Sequence, residues 1–253
     1  MKKNNYPIRV RFAHDIVAEV LLPEKQTGKI AIIAIGAPSS PSKKERLQFF
    51  AGRGYVVIFP RYRGTWESEG NFLELSPAQD IRDIVLELEK KKFVLDSETG
   101  EKIPLSVKAV HLFGGSFGGP AVLLNTDLSL VKKVIATAPV IDWSKEGEDE
   151  PFDIFVDYSQ KGFGGAYRTK KKTDWNKLVK TNFYNPIAHT DSIQGKKVFI
   201  IHAKDDTVVP YDPVVPFAKT IQAEYYLKPK GGHQINPTHK FLWKKIETFL
   251  KKK

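Results

Sequence analysis

Residues 113–119, FGGSFGG, are the stretch that decides the fold of this chain. They contain the pattern GxSxG, with Ser116 at its centre, and they lie between an apolar run and the start of a predicted helix. A serine on a sharp turn from strand to helix is held in a strained conformation that projects its hydroxyl, and small neighbours let the strand and helix approach closely. We therefore predict a nucleophile at Ser116, with the backbone N–H of Phe117 as one donor to an oxyanion.

Glycine-rich turns between a strand and a helix also bind phosphates, so a phosphate-binding loop is the alternative. The sequence has no GxxxxGK[ST] motif, and no acidic residue lies at the spacing that recognises a ribose. The glycines also follow the fifth predicted strand rather than the first. These features favour the nucleophile over the phosphate loop.

On both sides of this turn, short apolar runs alternate with amphipathic stretches. That pattern is typical of an α/β fold in which a mostly parallel sheet is covered by helices on both faces. The predicted strands, about eight, are residues 8–12, 16–22, 29–35, 55–60, 107–113, 131–141, 197–203 and 224–228, and the first two should pair antiparallel because their connection is short. The predicted helices begin near Lys43, Ser76, Phe117, Pro213 and Asn236.

Residues 142–196 separate two predicted strands without a sustained hydrophobic period. The segment has about 55 residues, and connections of that length are usually functional. We predict a cap or lid inserted into a single domain, residues 1–253. Its aromatic side chains are candidates for a substrate pocket, above all Trp143, Phe155 and Tyr158, and the alternative is that they form the core of the cap itself.

A serine nucleophile needs a base that accepts its proton and a carboxylate that orients the base. When the serine follows a strand of such a sheet, the acid and the histidine come later in the chain, in that order. His233 lies in a glycine-rich loop after the last predicted strand, so it is our candidate for the base. The alternative is that it is a turn residue without a catalytic role. Asp205 and Asp206 both follow the preceding strand, and position alone does not separate them. The other histidines are less suitable: His14 and His111 precede Ser116 in the chain, and His189 and His202 have positions typical of structural residues. His239 falls inside the last predicted helix.

The loop after the predicted strand 29–35 should supply a second oxyanion donor. Ala37 N–H is our candidate, although Gly36 N–H would serve the same geometry.

The formal net charge of +11 suggests nucleic-acid or acidic-membrane binding, but the lysine runs lie at helix ends, at the chain end and in a polar connection. We therefore expect a solvated surface, with neither nucleic acid nor membrane as a partner. The chain has no cysteine, and its longest apolar run, residues 30–35, is too short to cross a bilayer. The first residues show no signal-peptide pattern, so we expect a cytoplasmic protein. We also expect that the protein needs no metal or other cofactor.

Five motifs resemble the catalytic domain of the prolyl oligopeptidase-like and dienelactone hydrolase-like branch of the α/β-hydrolases. They are GYVVIFPRYRG with WESEG, FGGSFGG, NPIAHTDSI, HAKDDTVVP and GGH, and they run in the family order over most of the chain. The resemblance implies an α/β-hydrolase fold, and it implies that the acid is Asp206, three residues before the VP pair.

Two departures from that family bear on the substrate. Ile35 stands where relatives tend to have His or Tyr before the oxyanion loop, and there is no room for an N-terminal β-propeller. We therefore expect a serine hydrolase that cleaves small carboxylic esters through an acyl-enzyme. The alternatives are a serine peptidase or aminoacyl hydrolase that acts on short peptides, and a non-catalytic binding protein on a hydrolase scaffold. The oligomeric state stays open.

Overall fold

The structure is a computed structural model that describes residues 6–41 and 44–252. Its strands are β1 (Ile8–Phe12), β2 (Ile16–Leu21), β3 (Lys29–Ala34), β4 (Tyr55–Pro60), β5 (Phe93–Leu95), β6 (Lys102–Pro104), β7 (Ala109–Gly115), β8 (Val131–Thr137), β9 (Val198–Ala203) and β10 (Glu224–Lys228). Its α-helices are α1 (Lys44–Ala51), α2 (Pro77–Lys91), α3 (Gly118–Leu123), α4 (Phe152–Gly162), α5 (Lys177–Lys180), α6 (Val214–Ile221) and α7 (Lys240–Leu250).

Eight of these strands form one sheet in the order β1-β2-β4-β3-β7-β8-β9-β10. The six strands β4, β3, β7, β8, β9 and β10 run parallel to one another. Strand β2 is antiparallel to β4, and β1 is antiparallel to β2. The central strands β3, β4 and β9 are almost entirely buried and mostly apolar because both faces of the sheet are covered. The predicted fold class and the antiparallel opening pair are confirmed.

Helix α2 illustrates how the sequence sets an element. The Ser76 hydroxyl accepts a hydrogen bond from Ala78 N, and Pro77 occupies the first helical position, where its missing N–H costs nothing. Ile81, Ile84, Val85 and Leu88 are buried against the sheet, as their spacing predicts. Lys92 ends the helix in the left-handed conformation.

Several predicted boundaries are wrong. The strand predicted for residues 131–141 ends at Thr137, because Ala138 turns the chain with φ of 43° and Pro139 has no N–H to continue a ladder. The last helix begins at Lys240, not at Asn236, because the Asn236 side chain accepts a hydrogen bond from Thr238 N and holds a turn. His239 therefore precedes the helix instead of lying within it. The first helix was predicted from Lys43, which lies outside the described residues.

One hairpin and the helices within residues 142–196 were not predicted. The hairpin of β5 and β6 lies in a polar stretch with little strand signal. Helix α4 lies inside residues 142–196, where the remaining helical structure is short: α5 and the 3₁₀ helices Gly164–Ala166, Lys172–Asn176, Pro186–Ser192 and Gly195–Lys197. None of the helices within the described residues is long and apolar enough to cross a membrane.

Candidate active site

Ser116 lies on the turn between β7 and α3, at the carboxyl ends of the parallel strands. Its backbone has φ of 52°, a conformation that non-glycine residues rarely adopt. The glycines beside it are required by close packing: a Cβ at Gly114 would lie 2.2 Å from Gly118 O, and one at Gly118 would lie 2.4 Å from Ala34 O. This is the strained strand-to-helix turn that the motif predicts.

Several backbone N–H groups beside Ser116 have no hydrogen-bond acceptor within the described part of the chain. Among the described residues, neither Phe117 N–H nor Ala37 N–H donates a hydrogen bond, and Ala37, Phe117 and Ser116 line one cavity. Gly36 N–H also donates to no described residue, so the choice between Ala37 and Gly36 stays a proposal. Unbonded donors beside a strained serine are suited to stabilising an oxyanion.

Two buried tyrosines hold the backbone of these donor loops, and sequence reasoning missed both. Tyr62 OH donates to Ile35 O at 2.9 Å, and Tyr184 OH donates to Phe117 O at 2.7 Å. Burial raises the pKa of both hydroxyls well above the ordinary value, so they stay protonated donors. Tyr62 lies inside the motif GYVVIFPRYRG and Tyr184 directly precedes NPIAHTDSI, but pattern alone did not say which way either side chain points.

Asp206 is the aspartate that reaches His233. Its Oδ2 accepts a hydrogen bond from His233 Nδ1 at 2.9 Å, and its Oδ1 accepts from Val208 N and Val209 N, both at 3.0 Å. Burial opposes ionisation of this carboxyl, but the hydrogen bonds from His202 and His233 outweigh it and hold its pKa below the ordinary value. Asp206 is therefore a carboxylate at neutral pH.

Asp205 points elsewhere. Its carboxylate accepts hydrogen bonds from Gly231 N at 3.1 Å and Gly232 N at 2.9 Å, and these bonds hold its pKa below the ordinary value. The two neighbouring aspartates thus do different things: Asp206 contacts the imidazole, and Asp205 holds the backbone of the loop that carries it.

His202 is a further member of this cluster, for which the sequence predicted only a structural role. Its ring is fully buried, and Nε2 lies 3.0 Å from both Asp206 Oδ2 and Val209 O. Because both neighbours are acceptors, we assign the proton to Nε2. The His202–Asp206 spacing of four residues, at the end of a strand, was the available signal.

Two cavities meet at Ser116. The smaller cavity has a volume of about 480 Å³, including the solvent-filled space at its opening, and its lining includes Trp143, Phe152 and Phe155. The larger cavity, about 1360 Å³ on the same measure, contains Ser116, His233 and Tyr158 in its lining. The three predicted substrate residues therefore lie around Ser116: Trp143 and Phe155 in the smaller cavity, Tyr158 in the larger one.

Ser116 and His233 lie in the same cavity but are not hydrogen-bonded to each other in the described part of the chain. Nucleophile–base bonds are often long or poorly aligned before substrate binds. The arrangement thus contains a strained serine, a carboxylate-bound imidazole and free backbone donors around an apolar cavity. Such a set can transfer an acyl group through the serine.

The prolyl oligopeptidase family model matches residues 41–252, which is most of the chain. No curated protein sequence is significantly similar to it.

Solved structures with the same fold include both esterases and peptidases. An esterase from Pyrococcus furiosus superposes with a TM-score of 0.68 at 18% identity, over 97% of this chain and 89% of that one. Thermogutta terrifontis esterase 2, phosphoramylated by tabun, has a TM-score of 0.62 at 15% identity, over 99% of this chain and 95% of that one. The acylaminoacyl peptidase of Pyrococcus horikoshii has a TM-score of 0.63 at 19% identity, and the match spans 98% of this chain but 42% of the peptidase. These similarities show a shared fold.

Proposed function

The chain belongs to the prolyl oligopeptidase family, and from that premise we propose that this serine hydrolase cleaves carboxylic esters through an acyl-enzyme. The single observation that carries the proposal is the Asp206–His233 hydrogen bond of 2.9 Å in the loop above the strained Ser116. An imidazole held by a carboxylate at its Nδ1 has its other nitrogen free to act as a base. The fold similarity to esterases supports an ester as the substrate.

In the proposed reaction, Ser116 Oγ attacks the carbonyl carbon while His233 Nε2 accepts the hydroxyl proton. The backbone N–H groups of Phe117 and Ala37 stabilise the negative charge on the carbonyl oxygen. His233 then returns the proton to the leaving alcohol, which departs and leaves the acyl group on Ser116. A water molecule, deprotonated by the same imidazole, attacks the acyl-enzyme and releases the acid.

The two cavities divide the substrate between them. The smaller cavity is lined by aromatic rings and is suited to an apolar acyl group, so we assign it the acyl chain. The larger cavity, which contains His233, then holds the leaving alcohol.

Covalent labelling tests the nucleophile. A fluorophosphonate should label the wild-type protein, and Ser116→Ala should abolish both labelling and p-nitrophenyl ester hydrolysis, with kcat falling by about 10⁴-fold or more. Ser144→Ala, which removes an exposed serine, is the matched control and should behave as wild type. Absence of labelling in the wild type would point to a non-catalytic binding protein, and labelling that survives in Ser116→Ala would mean another nucleophile.

A second candidate function, hydrolysis of aminoacyl esters or short peptides, is favoured by Glu150. Its half-buried carboxylate lines both cavities and forms no ion pair with any described residue. Burial raises the pKa of this carboxyl, and the nearby His233 opposes that rise. A carboxylate in this place would suit the free amino group of a substrate. Comparison of kcat/KM for p-nitrophenyl esters with that for aminoacyl nitroanilides distinguishes the two candidates.

A further inference from the structure

Arg46 lies on α1 with its side chain in the larger cavity, alongside Ser116 and His233. It also lines an adjoining recess of about 280 Å³, which shares Gly115 and Thr137 with the larger cavity. The side chain is half-buried. A guanidinium therefore lies in the cavity in which the proposed reaction takes place, and the mechanism above does not use it.

The guanidinium of Arg46 has no protein partner in residues 6–41 and 44–252. The other arginines of the chain, seven in number, all donate a hydrogen bond or form an ion pair: Arg9, Arg11, Arg53, Arg61, Arg63, Arg82 and Arg168. Burial lowers the pKa of Arg46, and no carboxylate is close enough to raise it again. Arg46 is thus a partly dehydrated cation without a counter-ion.

The two acids that line the same cavity do not neutralise Arg46. Asp149 accepts a hydrogen bond from the Thr207 hydroxyl at 2.5 Å, and neither Asp149 nor Glu150 lies within 4.0 Å of the guanidinium. Removing a charge from water without pairing it is costly, so an anion in the cavity would gain the interaction that the protein leaves open. The planar fork of a guanidinium matches a carboxylate with two parallel hydrogen bonds.

We propose that Arg46 binds a carboxylate on the leaving-group side of the substrate. This rests on the proposed function, since it takes the smaller cavity as the acyl site and the larger one as the site of the departing group. The substrate class is then an acyl compound whose leaving group is itself an acid: a hydroxy acid if the bond is an ester, an amino acid if it is an amide.

Paired substrates test the proposal in both classes. The ester pair is 4-acetoxybenzoate and its neutral methyl ester, and the amide pair is N-acetyl-phenylalanyl-glycine and its neutral glycinamide. Arg46→Met should lower kcat/KM for the carboxylate member by roughly 10- to 100-fold relative to the neutral member, as for a lost charge-assisted bidentate contact. Because each ratio compares variant with wild type, the intrinsic reactivity of the leaving groups cancels. The pair that shows the effect identifies the leaving group as a hydroxy acid or an amino acid.

Two further variants serve as controls. Lys44→Met removes the same charge from an exposed position on the same helix and should leave both members of each pair unchanged. Arg46→Lys keeps the charge without the fork and should retain part of the preference. Equal losses for the neutral and carboxylate members in Arg46→Met, or no loss for either, would overturn the proposal.

A binding measurement separates this inference from the proposed reaction. Calorimetric titration should show that the Ser116→Ala protein binds 4-hydroxybenzoate. The double variant that also carries Arg46→Met should bind it at least about tenfold more weakly. Methyl 4-hydroxybenzoate should bind both proteins equally. If the wild type hydrolyses neither these four substrates nor p-nitrophenyl esters, the proposed function is wrong and this titration alone decides the role of Arg46: charge-selective binding supports it, and its absence overturns it.

Discussion

At the scale of single residues, Asp206 is notable for where its hydrogen bonds come from. Its four donors are His233 Nδ1, His202 Nε2 and the N–H groups of Val208 and Val209. His202 and His233 share the same oxygen, so the buried ring of His202 helps to set the direction in which Asp206 presents that oxygen to His233. We infer that His202 positions the acid.

His202→Phe tests this role. The substitution keeps a planar ring but removes the donor to Asp206, so we expect kcat for ester hydrolysis to fall roughly 10- to 100-fold, as for a lost hydrogen bond to a charged group, with KM little changed. The loss of stability should be modest, because His202 Nδ1 is already buried without a hydrogen-bond partner in the described structure. Steady-state kinetics and urea unfolding measure both. His239→Phe, at an exposed site, is the control, and an unchanged kcat in His202→Phe would refute the role.

At the scale of elements, Arg63 joins the turn between β1 and β2 to the first turns of α2. Its guanidinium bonds Asp15 at 2.8 Å, Asp80 at 2.5 Å and Asp83 at 2.8 Å, and its N–H donates to Asp80 at 2.9 Å. Burial alone would lower the pKa of this guanidinium, but the hydrogen bonds and the charges of the carboxylates outweigh it and raise the pKa. The same loop carries Tyr62, which donates to Ile35 O, so this ion cluster holds the segment that supports the proposed oxyanion loop.

Arg63→Met should therefore be strongly destabilising. Asp80 is almost fully buried, with its pKa raised by burial to about 7, and removal of Arg63 leaves this carboxyl without its ion-pair partner at a cost of about 3–5 kcal/mol in the free energy of unfolding. Arg82→Met is the matched control because the Arg82–Asp127 pair is exposed to solvent, where a pair contributes about 0–1 kcal/mol. Urea denaturation monitored by circular dichroism gives both values. A difference between the two variants below about 1 kcal/mol would contradict a buried, paired Asp80.

At the scale of the whole molecule, one part of residues 142–196 packs into the core of the domain, and another part, helix α4, is largely exposed to solvent. Trp175 and Tyr184 are fully buried and belong to an aromatic cluster with Phe72 and Phe117, so this part of the segment packs against the nucleophile turn. Helix α4 instead exposes Ile154 and Tyr158, which also line the larger cavity. We propose that α4 is the moving part of a cap.

Hydrogen exchange should reveal this difference in stability. Amides of α4 should exchange through local opening, well before those of β3 and β7 at the centre of the sheet, because α4 has few buried side chains. Exchange followed by mass spectrometry measures this, with α2 as the helical control because it buries a full face. Equal protection of α4 and α2 would mean that the cap is a rigid part of the domain.

Periodicity and turn chemistry were sufficient to predict the parallel sheet, the antiparallel opening pair and helix α2. The hairpin of β5 and β6 and the start of α7 depend on contacts that leave little periodic signal, such as the hydrogen bonds around Asn236. Hydrophobic periodicity predicts elements that bury an apolar face, but it does not predict turns that are set by hydrogen bonds of polar side chains.

The sequence by itself was sufficient to nominate Ser116, His233 and the pair Asp205 and Asp206 as candidate catalytic residues, because the order of strands and loops in such a sheet dictates where each chemical group would come from. Family resemblance favours Asp206, and the tertiary structure places that carboxylate, rather than that of Asp205, against the imidazole. The contacts of His202 and the unpaired state of Arg46 were decided only by the tertiary structure. The contacts of His202 with Asp206 and Val209 depend on how the chain turns after β9, and the surroundings of Arg46 depend on elements distant in the chain. No local pattern specifies either.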